Sequence, residues 1–429
     1  MRVLFTTWAW PSHLYALVPL ARACRAAGHE VIVASEPGLT RDILRADLPA
    51  AVVGTDVDTA GMVHEFLLPL PGDPAPVRDG KGPRVLRMLM AHAETMTPGL
   101  VELIRDWRAD LVVYDQVTLA GPVAAAVTGV PAVRQLYGVD LLQRARAVLP
   151  DALAPLADRL GAGPVDPYGA VSVDPVPTGM QLPGEHRVLP MRHLAYNGPE
   201  AAPWRSPATR GRPRVCVSWG HTIAKVDPSR FVAGRIAAAL AEAGFDVVLA
   251  VSAAQRDLLA ARPDLRAGEW AGQWAGQRAG QRAGQWDPPA GRRDQPPGRR
   301  EAEGSLPENV RVVVDTPLRD ALRDCDVFVG HGGAGGILAA LAQGLPMLLV
   351  PQLPDHAGHS GRAVATGAAS VLGAAGLTPE AVRDEVTRLL DAPEPGLAAA
   401  ELCEEMAARP APAEVAGALT ELTPSLARS

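Results

Sequence analysis

Residues 3–34 restrict the chain to a narrow class of folds. Val3–Thr7 is a β-rich run, a Trp-Pro turn spans Trp8 to Ser12, and Leu14, Leu17, Val18, Ala21 and Cys24 recur at helical spacing. Ser12 reads as the N-cap of that helix and Gly28 as the residue that ends it. Glu30–Ala34 is then a second strand. Strand, helix and strand in this order form a βαβ unit, which implies a parallel sheet with helices on its faces.

The alternation continues. Glu102–Arg108 reads as helix, Leu111–Tyr114 as strand, Gly121–Thr128 as helix and Pro131–Arg134 as strand. From Pro150 to Pro213 the pattern weakens and proline is frequent, as expected of a segment that closes one domain and links it to the next. A second series starts with strand Val215–Trp219. Asp227 is the expected cap of a helix with Pro228 at its first position, running to Gly244. Strands Asp246–Ser252, Val310–Val314, Val327–Gly330 and Met347–Val350 follow, with a helix over Gly333–Gln343. The expected architecture is α/β: two Rossmann-like, doubly wound domains facing a cleft. The boundaries are residues 1–205, 206–405 and a helical tail, 406–429, packing back towards the first domain. Residues 267–304, with Ala-Gly tetrads from Ala267 to Ala283 and then Arg, Pro and Gly, cannot offset their ordering entropy and are expected to be a disordered surface insertion.

A chain of 429 residues suits two domains, and a net charge of −6 argues against nucleic acid or an anionic membrane as partner. The four cysteines, Cys24, Cys216, Cys325 and Cys403, have no paired spacing and fit a reducing cytoplasm. No signal-peptide pattern precedes the first strand, and no apolar run approaches a membrane span. His356 and His359 lie three apart without a third ligand, so no metal site is expected.

Four segments carry chemistry. In Asp326–Pro351 a strand runs into His331, Gly332, Gly333, Ala334 and Gly335, and a helix begins. Glycines at a strand-to-helix turn let backbone amides approach an anion, the helix N-terminus adds partial positive charge, and a histidine adds a donor; together these describe a diphosphate site. Gly330, Gly332 and Gly335 also satisfy the dinucleotide fingerprint, but no acidic residue ends the next strand and the chain's first strand-to-helix turn has no glycine, so NAD ranks last. Ser218, Gly220 and Thr222, at the C-terminal end of the second domain's first strand, suit a phosphate contact. Asp355, beside His356, could bind sugar hydroxyls or cap the helix there. His13 sits near a helix N-terminus, which favours the neutral imidazole that a general base needs, and Asp115 at the end of Leu111–Tyr114 is the candidate to orient it. Trp8, Trp10, Leu14 and Tyr15 make the opening turn apolar, suited to a lipophilic acceptor, with His64–Met90 and Gln135–Gln181 completing its pocket.

These segments resemble the glycosyltransferase-B fold enzymes of natural-product biosynthesis, and most of all the actinomycete deoxysugar transferases that decorate macrolides and related polyketides. The carriers include Pro11-Ser12-His13-Leu14, Ala26-Ala27-Gly28-His29-Glu30-Val31, Tyr196-Asn197-Gly198-Pro199 and His331-Gly332-Gly333-Ala334-Gly335. The resemblance implies His13 as acceptor-deprotonating base supported by Asp115, and His331 to Gly335 as the donor diphosphate site. It places Pro317-Leu318 near the nucleobase, Asp355 and His356 on the sugar, and no cofactor beyond a nucleoside diphosphate sugar, usually thymidine-linked. The implied reaction is inverting transfer to a hydrophobic aglycone, and an activator protein or a second copy of the chain is the candidate partner. Three positions depart from the family pattern: Gly336 replaces the usual Thr or Ser, Asp315-Thr316 stand where an aromatic often stacks on the base, and His356 replaces Gln. The competing readings are a nucleotide-sugar epimerase of the same fold and a non-catalytic nucleotide-binding accessory protein.

Overall fold

The computed structural model describes residues 1–69, 81–198, 204, 211–266 and 306–426. The first sheet holds β1 (Arg2–Thr6), β2 (Glu30–Ser35), β3 (Ala50–Val52), β4 (Leu111–Asp115), β5 (Ala132–Gln135), β6 (Val171–Asp174) and β7 (Val188–Pro190), in the order β3-β2-β1-β4-β5-β6-β7. The second holds β8 (Arg214–Ser218), β9 (Asp246–Val251), β10 (Val310–Val314), β11 (Val327–Gly330), β12 (Met347–Leu349) and β13 (Ala369–Val371), in the order β10-β9-β8-β11-β12-β13. The ladders are parallel throughout. Parallel strands covered by helices on both faces are apolar along their length. All five residues of β4 are accordingly buried, and so are all four of β11.

Strand order reverses between β1 and β4 in one domain and between β8 and β11 in the other. At such switch points the loops leaving neighbouring strands part and open a crevice at the C-terminal edge. The four segments that leave these strands begin at Thr7, Gln116, Trp219 and His331. The topology therefore brings three of the four chemistry-bearing segments and Asp115, the last residue of β4, to two facing edges.

Local readings changed where tertiary packing overrode a signal. The helix expected over Glu102–Arg108 is the end of α2, Lys81–Trp107, which runs through Pro98. Its apolar stripe of Leu89, Ala93, Met96, Leu100 and Ile104 is buried, and that burial outweighs the proline's missing donor. Helix α1, Pro11–Ala26, begins one residue before Ser12: Trp10 is the N-cap and Pro11 the first helical residue, so Ser12 caps nothing. Gly28 has φ +86° just past its end. The proline-rich stretch after Pro150 is more than a link, since β6 and β7 lie in it and complete the first sheet. Asp227 caps only a 3₁₀ turn, Pro228–Arg230, between α3 (Thr222–Val226) and α4 (Ala233–Glu242). The 267–304 insertion and residues 70–80 of the expected acceptor segment lie outside the described residues.

The glycine turn opens α5, Ala334–Leu341, and Asp355 lies on α6, Pro354–Ala365. Near its C-terminal end the chain crosses between domains. Helix α7, Pro393–Ala408, places Ala399, Leu402 and Met406 in the second domain's core. Helix α8, Pro412–Leu426, lays Val415, Ala416 and Leu419 against Leu14, Leu17 and Leu20 of α1. His29 Nε2 and Thr420 Oγ1, 3.0 Å apart, close the same contact. Leu419→Ala should therefore cost about 2–5 kcal/mol of stability, read by urea unfolding; a change under about 0.5 kcal/mol would mean that α8 is not docked.

Candidate active site

A cleft between the two sheet edges is walled by both domains. On the first-domain side, His13 Nδ1 lies 2.9 Å from Asp115 Oδ1. Asp115 is wholly buried, and its other oxygen accepts from the Val117 amide at 3.2 Å and the Thr118 hydroxyl at 3.0 Å. A carboxylate held this way accepts the Nδ1 proton and leaves Nε2 of the neutral ring as a lone pair. The His13 ring is packed edgewise on Trp8, 4.8 Å between centroids, and tilted against Tyr137 at 4.4 Å. Thr118 Oγ1 also receives the Trp8 amide at 3.1 Å, so the loop before α1 and His13 share one anchor.

The other flank of Trp8 packs on His92 at 4.9 Å. His92 bridges Thr59 Oγ1, at 3.1 Å, and the buried Glu36, which itself accepts the Ala9 amide at 2.6 Å. This polar chain ties the apolar wall of the cleft, formed by Val63, Phe66, Met88 and Leu89, to the loop that leads into His13. Sequence reading missed Glu36 and His92 because their partners are far away in the chain.

On the second-domain side, the glycines of the turn make room for a ring. A Cβ at Gly220 would come 2.6 Å from His331 Cε1, and one at Gly333 would come 2.5 Å from His331 Nε2. Gly332, at φ +83°, turns the backbone over Ser360 and His356 and does not itself face the cleft. Gly333, Ala334 and Gly335 do, at the N-terminus of α5. His331 and His356 pack edge to face at 4.5 Å. Burial holds the His331 pKa well below the usual range, with the His356 and His221 imidazoles adding to the depression. Burial likewise lowers His356 and His221 and takes His359 to about 4. Asp355 lies in the first turn of α6, whose N-cap is Leu353, so it is no cap. Burial pushes its carboxyl up, but the His356 and His359 rings and the helix amides outweigh that and hold it below the usual value.

Several expected site residues sit otherwise than their place in the chain suggested. Leu14 is fully buried in the core with Leu17 and Val18 and takes no part in the cleft. It lies on the face of α1 that packs on the sheet, whereas Tyr15 lines the cleft against Tyr196 and His221. Trp8 and Trp10 line the cleft but are about 95% buried, stacked 5.6 Å apart. The Trp10 indole donates to Thr222 Oγ1 at 3.0 Å across the cleft, which leaves Thr222 its own proton to donate. Leu318 faces the cleft, whereas Pro317 lies behind it as the N-cap of the turn Leu318–Ala321. Ser218 and Gly220 also line the cleft. Asn197 is a further residue of weight: its side chain donates to the Thr316 carbonyl at 3.1 Å and accepts the Leu318 amide at 2.8 Å, pinning the loop after β10. The absent hydroxyl at Gly336 has a steric counterpart, since a Cβ there would come 3.2 Å from Phe328 Cζ, and Phe328 lines the cleft. Among the described residues no cluster of three or more His, Cys, Asp or Glu side chains is placed to hold a metal, and no helix is long and apolar enough to cross a membrane.

Comparison with known proteins accords with this geometry. Residues 80–220 match the N-terminal domain, and residues 295–422 the C-terminal domain, of the erythromycin biosynthesis protein CIII-like family. The chain is 31% identical to a 3-alpha-mycarosylerythronolide B desosaminyl transferase of Saccharopolyspora erythraea, over 98% of both chains. It is 32% identical to a 10-deoxymethynolide desosaminyltransferase of Streptomyces venezuelae, over 98% of this chain and 97% of the relative. Its structure is similar to that of the glycosyltransferase VinC in complex with dTDP, with 30% identity, a TM-score of 0.72, and 99% and 100% of the two chains covered. Two parallel-sheet domains, the cleft between them and these likenesses lead to one identification: the chain belongs to the erythromycin biosynthesis protein CIII-like family of natural-product glycosyltransferases.

Proposed function

We propose that the chain moves a deoxysugar from a thymidine diphosphate-linked donor to a hydroxyl of a lipophilic, polyketide-type acceptor, in a single inverting displacement that uses no metal ion. The observation that carries this reading is the 2.9 Å His13–Asp115 contact at one sheet edge, facing the His331 glycine turn at the other. Relatives named for desosaminyl transfer to macrolactones support the sugar and acceptor class, and the dTDP complex of VinC supports the nucleotide.

In this mechanism Nε2 of His13 takes the proton of the acceptor hydroxyl as its oxygen attacks the anomeric carbon. Asp115 stabilises the imidazolium that forms. The bond from the anomeric carbon to the diphosphate breaks, and its electron pair leaves on the phosphate oxygen. The Gly333–Gly335 backbone, the start of α5, His331 and the Thr222 hydroxyl receive that charge. In this reading Asp355, which lines the cleft, takes hydroxyls of the sugar, and Leu318 with the Asn197-pinned loop takes the base.

General-base help of this kind is worth about 10²–10⁴-fold. His13→Ala should lose that much turnover, read as thymidine diphosphate released with macrolactone and aromatic polyketide acceptors, and keep its nucleotide affinity. Loss of nucleotide binding as well would show that the assignment of roles is wrong. Thymidine diphosphate at about a hundred times its dissociation constant should add about 2.7 kcal/mol of stability, moving the unfolding midpoint by roughly 2–4 °C. Gly333→Ala, whose methyl would meet the His331 ring, should abolish that shift while the unliganded protein unfolds cooperatively. A retained shift would place the diphosphate elsewhere.

A further inference from the structure

The diphosphate side of the cleft holds an unusual set of unmet hydrogen bonds. His331 Nδ1, His356 Nδ1, both ring nitrogens of His359 and the Ser360 hydroxyl are all buried without a partner. They belong to the glycine turn and to α6. Buried polar atoms are normally satisfied, and a local cluster of exceptions calls for a ligand. His331 and His356 both line the cleft, and each is at least nine-tenths buried.

The arrangement also says in which state the rings would meet a phosphate. The Ser218 backbone favours the charged form of the His331 ring, and its Nδ1 has no partner. A neutral imidazole has one donor only, which leaves its other ring nitrogen a lone pair that repels phosphate oxygens. Protonation turns it into a donor with a full charge behind it. The described residues lining the cleft include no Lys or Arg, so the positive charge they can offer a diphosphate is carried by histidines.

We propose that His331 and His356 together form the cation of the diphosphate site, and that the nucleotide binds with a proton which this pair takes up. The proposal rests on the donor reading above and adds to it a role for His356, whose ring would otherwise be assigned to the sugar. Before the ligand arrives, burial keeps both rings neutral, since their pKa values lie below the ordinary imidazole value. Bound next to a diphosphate, the charged form is favoured and the pKa rises. The other groups acting on the pair are few. Asp355 and His359 share α6 with His356, and Asp355 favours the charged ring while the imidazoles disfavour it. His221 acts on His331 from the start of α3, and Asp315 acts on His221 from beyond β10. From the first domain His13 and Arg144 act on His359, with the Tyr137 ring packed between the two domains.

The sign follows by linkage. Between the free and the bound pKa of the pair, binding takes up protons, so affinity strengthens as pH falls and weakens as it rises. The test is calorimetric titration of the whole chain with thymidine diphosphate at pH 8.0, where the nucleotide's own phosphates are ionised, in two buffers of different ionisation enthalpy. The expected result is uptake of about one proton per nucleotide bound, with affinity falling by up to about tenfold per pH unit above pH 8. His356→Gln should reduce the uptake, and because the wild-type result stands alone, a poorly folding variant does not remove the test. Tight binding with no proton uptake would overturn the proposal, as would unchanged uptake in a folded His356→Gln protein. No binding of thymidine diphosphate in either buffer would instead remove the donor reading on which the proposal rests.

Discussion

The carboxylate of Asp115 is the constraint on which the first domain's side of the cleft depends. It ends the central strand β4 and is wholly buried, so its charge must be met inside the protein. His13, the Val117 amide and the Thr118 hydroxyl meet it. Thr118 in turn holds the Trp8 amide, so a single buried carboxylate sets the loop after β1, the start of α1 and the tautomer of His13. The position follows from topology: β4 pairs with β1 at the point where strand order reverses, and that point is where a parallel sheet opens.

The second domain repeats the plan with different chemistry. Its switch point lies between β8 and β11, and the segments leaving them carry Gly220 and His331. Here the glycines matter for the volume that they leave empty. Gly220 and Gly333 press against the His331 ring from two sides, so this histidine can occupy its place only because both positions lack a Cβ. Contacts between the domains then fix one half against the other. Trp10 reaches Thr222, Asn197 pins the loop after β10, and Arg362 donates to three carbonyls of residues 179–181. The Gln352 carbonyl accepts the Leu68 amide, and its side chain joins Trp219 to the Arg230 carbonyl.

The fold was legible because alternating strands and helices leave a strong periodic record. The glycine turn was legible because its residue types are spaced along a few consecutive positions. What escaped was of two kinds. Helix ends shifted where packing overrode a local signal, as at Pro98 inside α2 and at Ser12, displaced as cap by Trp10. Residues whose role depends on partners distant in sequence left no local trace: Glu36 and His92 lie 56 positions apart, and Tyr137 meets His13 only in the folded chain. Leu14 and Tyr15 show the limit of reading adjacent residues together, because successive positions on a helix face different ways and only Tyr15 turns to the cleft. The departure at Gly336 looked like a simple loss in the sequence, but in the structure it is paired with Phe328 packed against the same backbone.

The most direct test of the central claim is a crystal structure of the chain with thymidine diphosphate bound. The account predicts the diphosphate on the Gly333–Gly335 amides at the start of α5, beside His331 and His356. The thymine should lie by Leu318, and the open end of the diphosphate should point across the cleft towards Nε2 of His13. A nucleotide bound at the first domain's sheet edge, or one whose terminal phosphate points away from His13, would contradict it.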